Sequence, residues 1–218
     1  QKVALGESNF KRYTEDGTLK SIQSLSGTGA LMMASSFYKK FSPNKKILMP
    51  TPTWGNHGAI FNEAGLDVSS YRYIDSSCPT TPKLDFEGMK EDLESCSEGT
   101  IILLHMCAHN PTGVDPTKEE WQAIGEICKR KGLQVLLDNA YQGFASGSLE
   151  DDAFALTHFL EIGIKPFVAC SFAKNLGLYG ERIGVLHTFG SSKEEAESIL
   201  SQLAIISRVT FSNPPAFR

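Results

Sequence analysis

The sequence predicts an α/β domain with a mostly parallel sheet, and three observations favour this class. Short apolar runs alternate with helical patterns from end to end. Most of the runs are continuously apolar, which is typical of strands that are covered on both faces. No repeat or low-complexity linker interrupts the alternation in the 218 residues, so we expect one large domain or at most two small ones.

The apolar runs define the predicted strands. They span residues 46–49, 68–73, 100–105, 134–138, 167–171 and 183–187. Helical patterns lie between them, at residues 29–41, 54–64, 85–96, 116–131, 151–162 and 192–208. The pattern over 116–131 is the clearest, because Pro116 lies near its first turn, acidic residues follow, and Gly132 comes directly after its basic end.

Composition excludes several classes of partner. The formal net charge is −4 and no run of lysine and arginine exceeds three residues, so no nucleic-acid surface is expected. No apolar run approaches the ~20 residues that a membrane-spanning helix needs, and no secretory signal is present. The five cysteines are irregularly spaced in apolar stretches, which is typical of reduced, packed thiols in an intracellular protein.

Both ends of the chain suggest that it is part of a longer protein. It begins at Gln1 without a methionine and ends at Arg218 directly after SNPPAF, where no pattern closes a helix or strand. A terminal arginine is also what trypsin-like cleavage leaves. We therefore expect an excised core.

Polar segments follow the carboxyl ends of the predicted strands, where ligands bind in open α/β sheets. These segments are PTPTWGNH, HMCAHNPTG, DNAYQG and SFAKN. Trp54 offers a flat face for stacking on a planar ring, although a core tryptophan is the commoner fate. Asn110 offers a carboxamide that both donates and accepts hydrogen bonds. The sequence therefore predicts one site at this edge of the sheet.

A phosphate site is one possibility at this edge. LSGTGAL, residues 25–31, places two glycines at the start of a helical pattern, where backbone N–H groups and the helix dipole favour an anion. It has neither P-loop nor GxGxxG spacing, so a plain glycine-rich helix start remains open. Arg182 and the hydroxyl of Ser171 strengthen the phosphate interpretation, although a solvated Arg182 also remains open.

Three further residues suggest chemistry at the same strand ends. Asp138 ends the apolar run QVLLD, and a carboxylate there needs a cation or several donors; it either meets a cationic heterocycle nitrogen or caps the next turn. Tyr141 presents a phenol three residues on. Lys174 lies among small and apolar residues, as either a snorkelling lysine or an amine that reacts with a carbonyl.

A zinc site and a serine hydrolase are two other chemistries that the sequence could suggest. His105, Cys107 and His109 alternate, and in an extended strand they would share one side and, with Asp138, form a possible zinc site. Structural zinc sites usually use tighter spacings such as CxxC, so packed histidines are favoured and no metal is expected. GFASG at residues 143–147 is not a GxSxG elbow, which argues against a serine hydrolase.

Taken together, six segments resemble the aspartate aminotransferases, fold-type I enzymes that use pyridoxal 5'-phosphate (PLP). The segments are SGTGAL, PTWGNH, HNPTGVDPT, DNAYQGFASG, SFAKNLGLYGERIG and RVTFSNPP, in the family's order and over nearly the whole chain. The resemblance implies that residues 1–218 form the three-layer, PLP-binding large domain. It also implies transamination between L-aspartate and 2-oxoglutarate in the full-length enzyme.

The resemblance gives each candidate residue a role. Lys174 would form the imine with PLP and carry the proton at the substrate α-carbon, and Asp138 would pair with the pyridinium nitrogen. Tyr141 and Asn110 would bond the ring's phenolic oxygen, with Asn110 also near the substrate. Trp54 would stack on the ring beside the substrate, with His57 and His105 behind Asp138. The phosphate would be held by Ser26, Gly27, Thr28, Ser171 and Arg182.

Arg208 suggests dicarboxylate substrates and a homodimer. In the family an arginine at this point of the segment enters the neighbouring subunit's site and binds the distal carboxylate of the amino or keto acid. Two departures are Ala173, a serine in some relatives, and Phe211, where tryptophan is common. The family's α-carboxylate arginine and a phosphate-binding tyrosine fall outside residues 1–218, so we expect these residues alone to be nearly inactive.

Two alternatives remain open within the resemblance. One is an aromatic or broad-range aminotransferase, because relatives accept both substrate types. The other is a noncatalytic PLP-fold protein, against which the presence of both Lys174 and Asp138 argues. The compartment, cytoplasmic or mitochondrial, is undecided, although LYGER is similar to mitochondrial forms.

Overall fold

A seven-stranded sheet carries helices on both faces in the computed structural model, which describes residues 1–75, 77 and 81–214. The strands are β1 (Leu19–Leu25), β2 (Lys46–Thr51), β3 (Asp67–Arg72), β4 (Ile74–Asp75), β5 (Lys83–Leu84), β6 (Ile101–His105), β7 (Gln134–Asn139), β8 (Phe167–Ser171) and β9 (Ile183–Phe189). The helices are α1 (Lys2–Glu15), α2 (Ser26–Phe41), α3 (His57–Glu63), α4 (Phe86–Glu94), α5 (Lys118–Lys131), α6 (Leu149–Asp152), α7 (Phe154–Glu161) and α8 (Lys193–Thr210).

The strand order in the large sheet is β1-β9-β8-β7-β6-β2-β3. The pairs from β8 to β3 are all parallel, whereas β9 and β1 are added antiparallel at one edge. The predicted α/β fold with a mostly parallel sheet is therefore confirmed. β4 and β5 form a separate two-stranded ribbon.

The sheet separates two apolar cores, as its continuously apolar strands require. In β6, Ile101 and Leu103 face the core shared with α2, α3 and α8. Ile102 and Leu104 face the opposite core, to which α1, α4, α5 and α7 contribute. All four side chains are at most 1% exposed, so β6 is fully enclosed between the helical layers. This arrangement leaves the ends of the strands as the places where polar side chains can meet a ligand.

Several elements differ from the sequence prediction. β1 was not predicted because LKSIQSL mixes polar and apolar residues; it forms by pairing with β9 at the sheet edge. α1 was not predicted because Gly6 interrupts its pattern, and Gly6 has a non-helical conformation with φ 71°. The helix predicted over 54–64 begins at His57, and the one predicted over 151–162 is divided at Ala153.

The described cysteines agree with the predicted packed thiols. Cys96, Cys107, Cys128 and Cys170 are buried and unpaired. Cys78 lies outside the described residues. Within the described part of the chain, no helix combines the length and apolar character needed to cross a membrane.

The capping box of α5 gives a test of the fold. Thr117 Oγ1 accepts from the Glu120 N–H at 3.2 Å, and the Thr117 N–H donates to Glu120 Oε2 at 2.7 Å. Thr117→Ala should lower the free energy of unfolding by about 1 kcal/mol, because the helix start loses its cap. Urea denaturation measures this change, with Thr117→Ser as the matched control. Equal destabilisation by serine and alanine would contradict the capping role.

Candidate active site

One cleft lies at the carboxyl ends of β2, β6, β7 and β8, beside the start of α2. It brings together every residue that the sequence assigned to cofactor binding: Ser26, Gly27, Thr28, Trp54, Asn110, Asp138, Tyr141, Ser171, Lys174 and Arg182. The strand-end rule therefore located the cleft.

One end of the cleft combines hydroxyl groups, backbone donors and a cation. The hydroxyls of Ser26 and Ser171 are hydrogen-bonded to each other at 2.9 Å. Whichever is the donor, one hydroxyl hydrogen of the pair is left to donate elsewhere. Gly27 and Thr28 lie in the first turn of α2, where N–H groups lack partners within the helix and the dipole attracts anions. This end is suited to a dianion.

Arg182 completes this end of the cleft. Its Nη1 donates to the Tyr179 carbonyl at 3.0 Å, which orients the guanidinium. Among the described residues it forms no ion pair with a carboxylate. Its charge is therefore available to an anionic ligand, with the other donors of the fork still free.

Asp138 is a buried carboxylate at the other end of the cleft. It lies in β7 and is 9% exposed. Its Oδ2 accepts a hydrogen bond from His57 Nε2 at 3.0 Å. Burial raises the pKa of Asp138, but the hydrogen bond from His57 and the charges of His57, His105 and Lys174 outweigh that effect and hold its pKa below its usual value. The group is therefore an anion.

A one-directional chain of hydrogen bonds supports Asp138. The Asn110 N–H donates to His105 Nδ1 at 3.3 Å, so neutral His105 carries its proton on Nε2. That Nε2 lies 2.9 Å from Thr53 Oγ1, and the Thr53 hydroxyl lies 2.8 Å from His57 Nδ1. Each link then donates toward Asp138, and His57 presents its Nε2–H to the carboxylate. The backbone amide at the start of the chain fixes both histidine tautomers.

His105 and His109 are neutral because they are buried. Desolvation is the main cause that lowers the pKa of His105 to about 4, with smaller effects from Asp138, which raises it, and His57, which lowers it. Desolvation similarly lowers the pKa of His109 to about 3. His109 stacks on Tyr73 with ring centroids 3.8 Å apart, and its ring centroid is 4.2 Å from that of His105. His109 therefore packs behind the site.

The geometry on which the zinc alternative rested is absent. β6 ends at His105, and the chain bends at once, with Ala108 at φ 47°, so His105, Cys107 and His109 do not alternate along a strand. Among the described residues a possible ligand group is formed instead by His57, His105 and Asp138. The facing ring nitrogens of the two histidines are already hydrogen-bonded to Thr53, and the remaining contact is His57 to Asp138.

Lys174 lines the same cleft and is half-buried. Its Nζ is 4.9 Å from the ring centroid of Tyr141 and 5.7 Å from that of Tyr179. Two aromatic rings thus surround the amine. Burial, followed by the nearby Tyr179 and Asp138, raises the pKa of Tyr141, so its phenol is a hydrogen-bond donor.

Sequence reasoning missed two residues of this site. Thr53 joins His57 to His105, and Tyr179 contributes its ring to Lys174 and its carbonyl to Arg182. Both lie inside segments singled out from the sequence, but no residue-type signal separates them from ordinary loop residues.

Trp54 lines the cleft and meets the His57 ring edge-on, with centroids 5.2 Å apart. Arg208 does not line the cleft. It is exposed near the end of α8, where its guanidinium donates to the Ser212 hydroxyl. Within this chain it is therefore separate from the other predicted site residues.

The lowered histidine pKa predicts acid sensitivity. In the unfolded chain, His105 becomes protonated as the pH falls below about 6.5. In the folded chain, it stays neutral until the pH falls to its lowered pKa of about 4. Stability should therefore fall by about 2 kcal/mol or more between about pH 7 and about pH 5. Urea denaturation at the two pH values measures this loss, and His105→Gln should reduce it. Equal stability at both values would contradict the assignment.

Comparisons with known proteins agree with this geometry. A family model for aminotransferases of class I and II matches residues 8–216. The chain is 50% identical over 216 residues to a mitochondrial aspartate aminotransferase from Dictyostelium discoideum, covering 99% of this chain and 50% of the relative. It is 46% identical to the mitochondrial enzyme of Gallus gallus, over 98% of this chain and 50% of the relative. The chain thus spans about half the length of these curated relatives.

Solved structures have the same fold. A mitochondrial aspartate aminotransferase from Trypanosoma brucei is 42% identical with a TM-score of 0.93, over 99% of this chain and 55% of that one. An aromatic-amino-acid aminotransferase from Burkholderia pseudomallei, covalently bound to pyridoxal phosphate, is 40% identical with a TM-score of 0.94, over 99% of this chain and 53% of that one. On the family match and these identities, the chain belongs to the class I and II aminotransferases.

Proposed function

We propose that the full-length protein transfers an amino group between L-aspartate and 2-oxoglutarate with PLP as cofactor. The observation that carries this proposal is the composition of one cleft, which is lined by Lys174, by donors suited to a dianion and by a buried carboxylate. The printed names of the relatives as aspartate aminotransferases support the same reaction. Residues 1–218 are, in this proposal, the PLP-binding large domain.

The donor set at the dianion end fits a phosphate group. The Ser26 and Ser171 pair has one hydroxyl hydrogen to offer, and Arg182 has no carboxylate partner among the described residues. Gly27 also lies close to Ser171, because a Cβ at Gly27 would be 3.1 Å from Ser171 Cβ. A side chain there would enter the cradle. We therefore assign the phosphate to Ser26, Gly27, Thr28, Ser171 and Arg182.

The carboxylate end fits a protonated heterocycle nitrogen. Asp138 Oδ2 is taken by His57, while Oδ1 has no hydrogen bond to any described residue. A buried anion with a free oxygen favours a cationic partner. When bound, PLP supplies an electron sink that makes the α-proton of an amino acid acidic, and Asp138 preserves that sink by keeping the ring nitrogen protonated.

Lys174 then serves as attachment point and proton carrier. With PLP bound, the amine of Lys174 would hold the cofactor at its aldehyde carbon and, once free, would carry the proton at the substrate α-carbon. Tyr141 and Asn110 are assigned to the ring's phenolic oxygen, with Asn110 also beside the substrate, and Trp54 to stacking on the ring.

Substrate selection is assigned to Arg208 across a homodimer. Its exposed position outside this chain's own cleft is compatible with a role in a neighbouring subunit's site. A guanidinium binds a carboxylate through two parallel hydrogen bonds, which favours dicarboxylic amino and keto acids over neutral ones. We also propose that the protein works inside the cell, because two of its relatives are named mitochondrial and chloroplastic.

An aromatic or broad-range aminotransferase is the second candidate. The observation that favours it is the similarity to the Burkholderia pseudomallei aromatic-amino-acid enzyme, whose TM-score is as high as that of the aspartate enzymes. Both candidates use the same cofactor site. They differ in the side chain that the substrate presents.

The covalent role of Lys174 has a direct test. Borohydride reduction of the full-length protein with PLP, followed by peptide mapping, should place a pyridoxyl group on Lys174. Lys174→Ala should lose the adduct and nearly all turnover while retaining noncovalent PLP binding through the phosphate end. Lys165→Ala is the control, because Lys165 is a partly buried lysine that packs on Tyr13 and does not line the cleft. An adduct on another lysine would overturn this role.

Substrate choice is tested by comparing aspartate with phenylalanine. The full-length protein should favour aspartate in kcat/KM, and Arg208→Leu should lower kcat/KM for aspartate about a hundred-fold or more while changing that for phenylalanine little. Lys193→Leu, an exposed cation at the start of α8, is the matched control. A preference for phenylalanine that survives Arg208→Leu would support the second candidate. No transamination of either substrate would leave a noncatalytic protein.

A further inference from the structure

Ser26 is held in an unusual backbone conformation at the proposed phosphate site. Its φ is 59°, in the left-handed region that residues other than glycine rarely adopt. Arg182 also lies there, with φ 53°, and the Ser26 N–H donates to the Arg182 carbonyl at 3.0 Å. Two residues assigned to the phosphate therefore share a strained backbone contact. Such a conformation persists only where its surroundings impose it.

Those surroundings are a row of three residues across neighbouring strands. Ser24 in β1 pairs with Gly184 in β9, and Gly184 pairs with Ser171 in β8. Residues opposite one another in a sheet share a face, so the row meets Ser26 from one side. The Ser171 hydroxyl contacts the Ser26 hydroxyl at 2.9 Å, and the Ser24 hydroxyl donates to the Ser26 carbonyl at 2.9 Å.

Gly184, in the middle of the row, leaves the space that the Ser26 peptide occupies. A Cβ at Gly184 would lie 2.4 Å from the carbonyl carbon of Ser26 and 2.5 Å from its oxygen. Both atoms are backbone, so no rotamer change can relieve the overlap. Any side chain at Gly184 must displace Ser26. Ser24 is fully buried and its hydroxyl binds the same carbonyl, so the peptide is fixed at both contacts.

We infer that Ser24 and Gly184, neither of which lines the cleft, are positioning residues that hold the Ser26 backbone in its phosphate-binding conformation. This inference rests on the proposed function, because it takes the dianion end of the cleft as the phosphate site. It assigns the affinity for phosphate partly to a row of strand residues behind the cleft. The rest of the ligand, including its ring, should be unaffected by the row.

The test compares PLP with pyridoxal, which lacks the phosphate, by measuring the affinity of the full-length protein for each. Ser24→Ala removes one oxygen atom and should weaken PLP about three- to ten-fold while leaving pyridoxal within about two-fold of the unmodified protein. Gly184→Ala should weaken PLP more strongly, again with little change for pyridoxal. Gly180→Ala is the control, since a Cβ there meets no atom within 4 Å.

The outcomes distinguish a failure of the inference about Ser24 and Gly184 from a failure of the proposed phosphate site. Variants that keep the unmodified protein's ratio of PLP to pyridoxal affinity overturn the inference, whether both affinities stay the same or fall together. An unmodified protein that binds pyridoxal as tightly as PLP overturns the phosphate assignment itself. If Gly184→Ala does not fold, Ser24→Ala decides the inference alone.

Discussion

The arrangement of the site depends on keeping one negative charge inside the protein. Asp138 lies in the central strand β7 with little access to water, and a lone carboxylate there would take up a proton or unfold its surroundings. The chain from the Asn110 amide through His105, Thr53 and His57 prevents this by delivering a donor to the carboxylate. Because the links come from three different strand ends, the sheet must be assembled before the charge is stable.

The two ends of the cleft favour opposite charges and are built in different ways. The carboxylate end is built from buried groups whose hydrogen bonds lead to Asp138, so it presents an anion. The dianion end is built from serine hydroxyls, N–H groups at a helix start and an arginine. The positions of these donors depend on the backbone conformation of Ser26 and Arg182. Lys174 lines the cleft together with both sets of residues. A ligand that carries a cation at one end and a dianion at the other is matched to both.

The sequence located the cleft but left part of its construction undetermined. Strand periodicity and the rule that ligands bind at strand ends predicted a site at this edge of the sheet, and the family resemblance supplied the full set of ten cofactor residues that line the cleft. They did not reveal β1, whose polar residues become a strand only by pairing with β9. Thr53 and the Ser24–Gly184 pair were likewise missed, because their roles arise from contacts between residues far apart in the chain.

The contact between Ser26 and Ser171 joins residues 145 positions apart. A ligand bound to both hydroxyls would therefore act as a reversible cross-link between residues separated by two thirds of the chain. Its binding free energy would add to the free energy of unfolding. Such a ligand would reinforce the join between the edge strand β1 and the inner strand β8, which are otherwise connected through β9. In the proposed function, the cofactor would in this way contribute to the stability of the fold as well as to its chemistry.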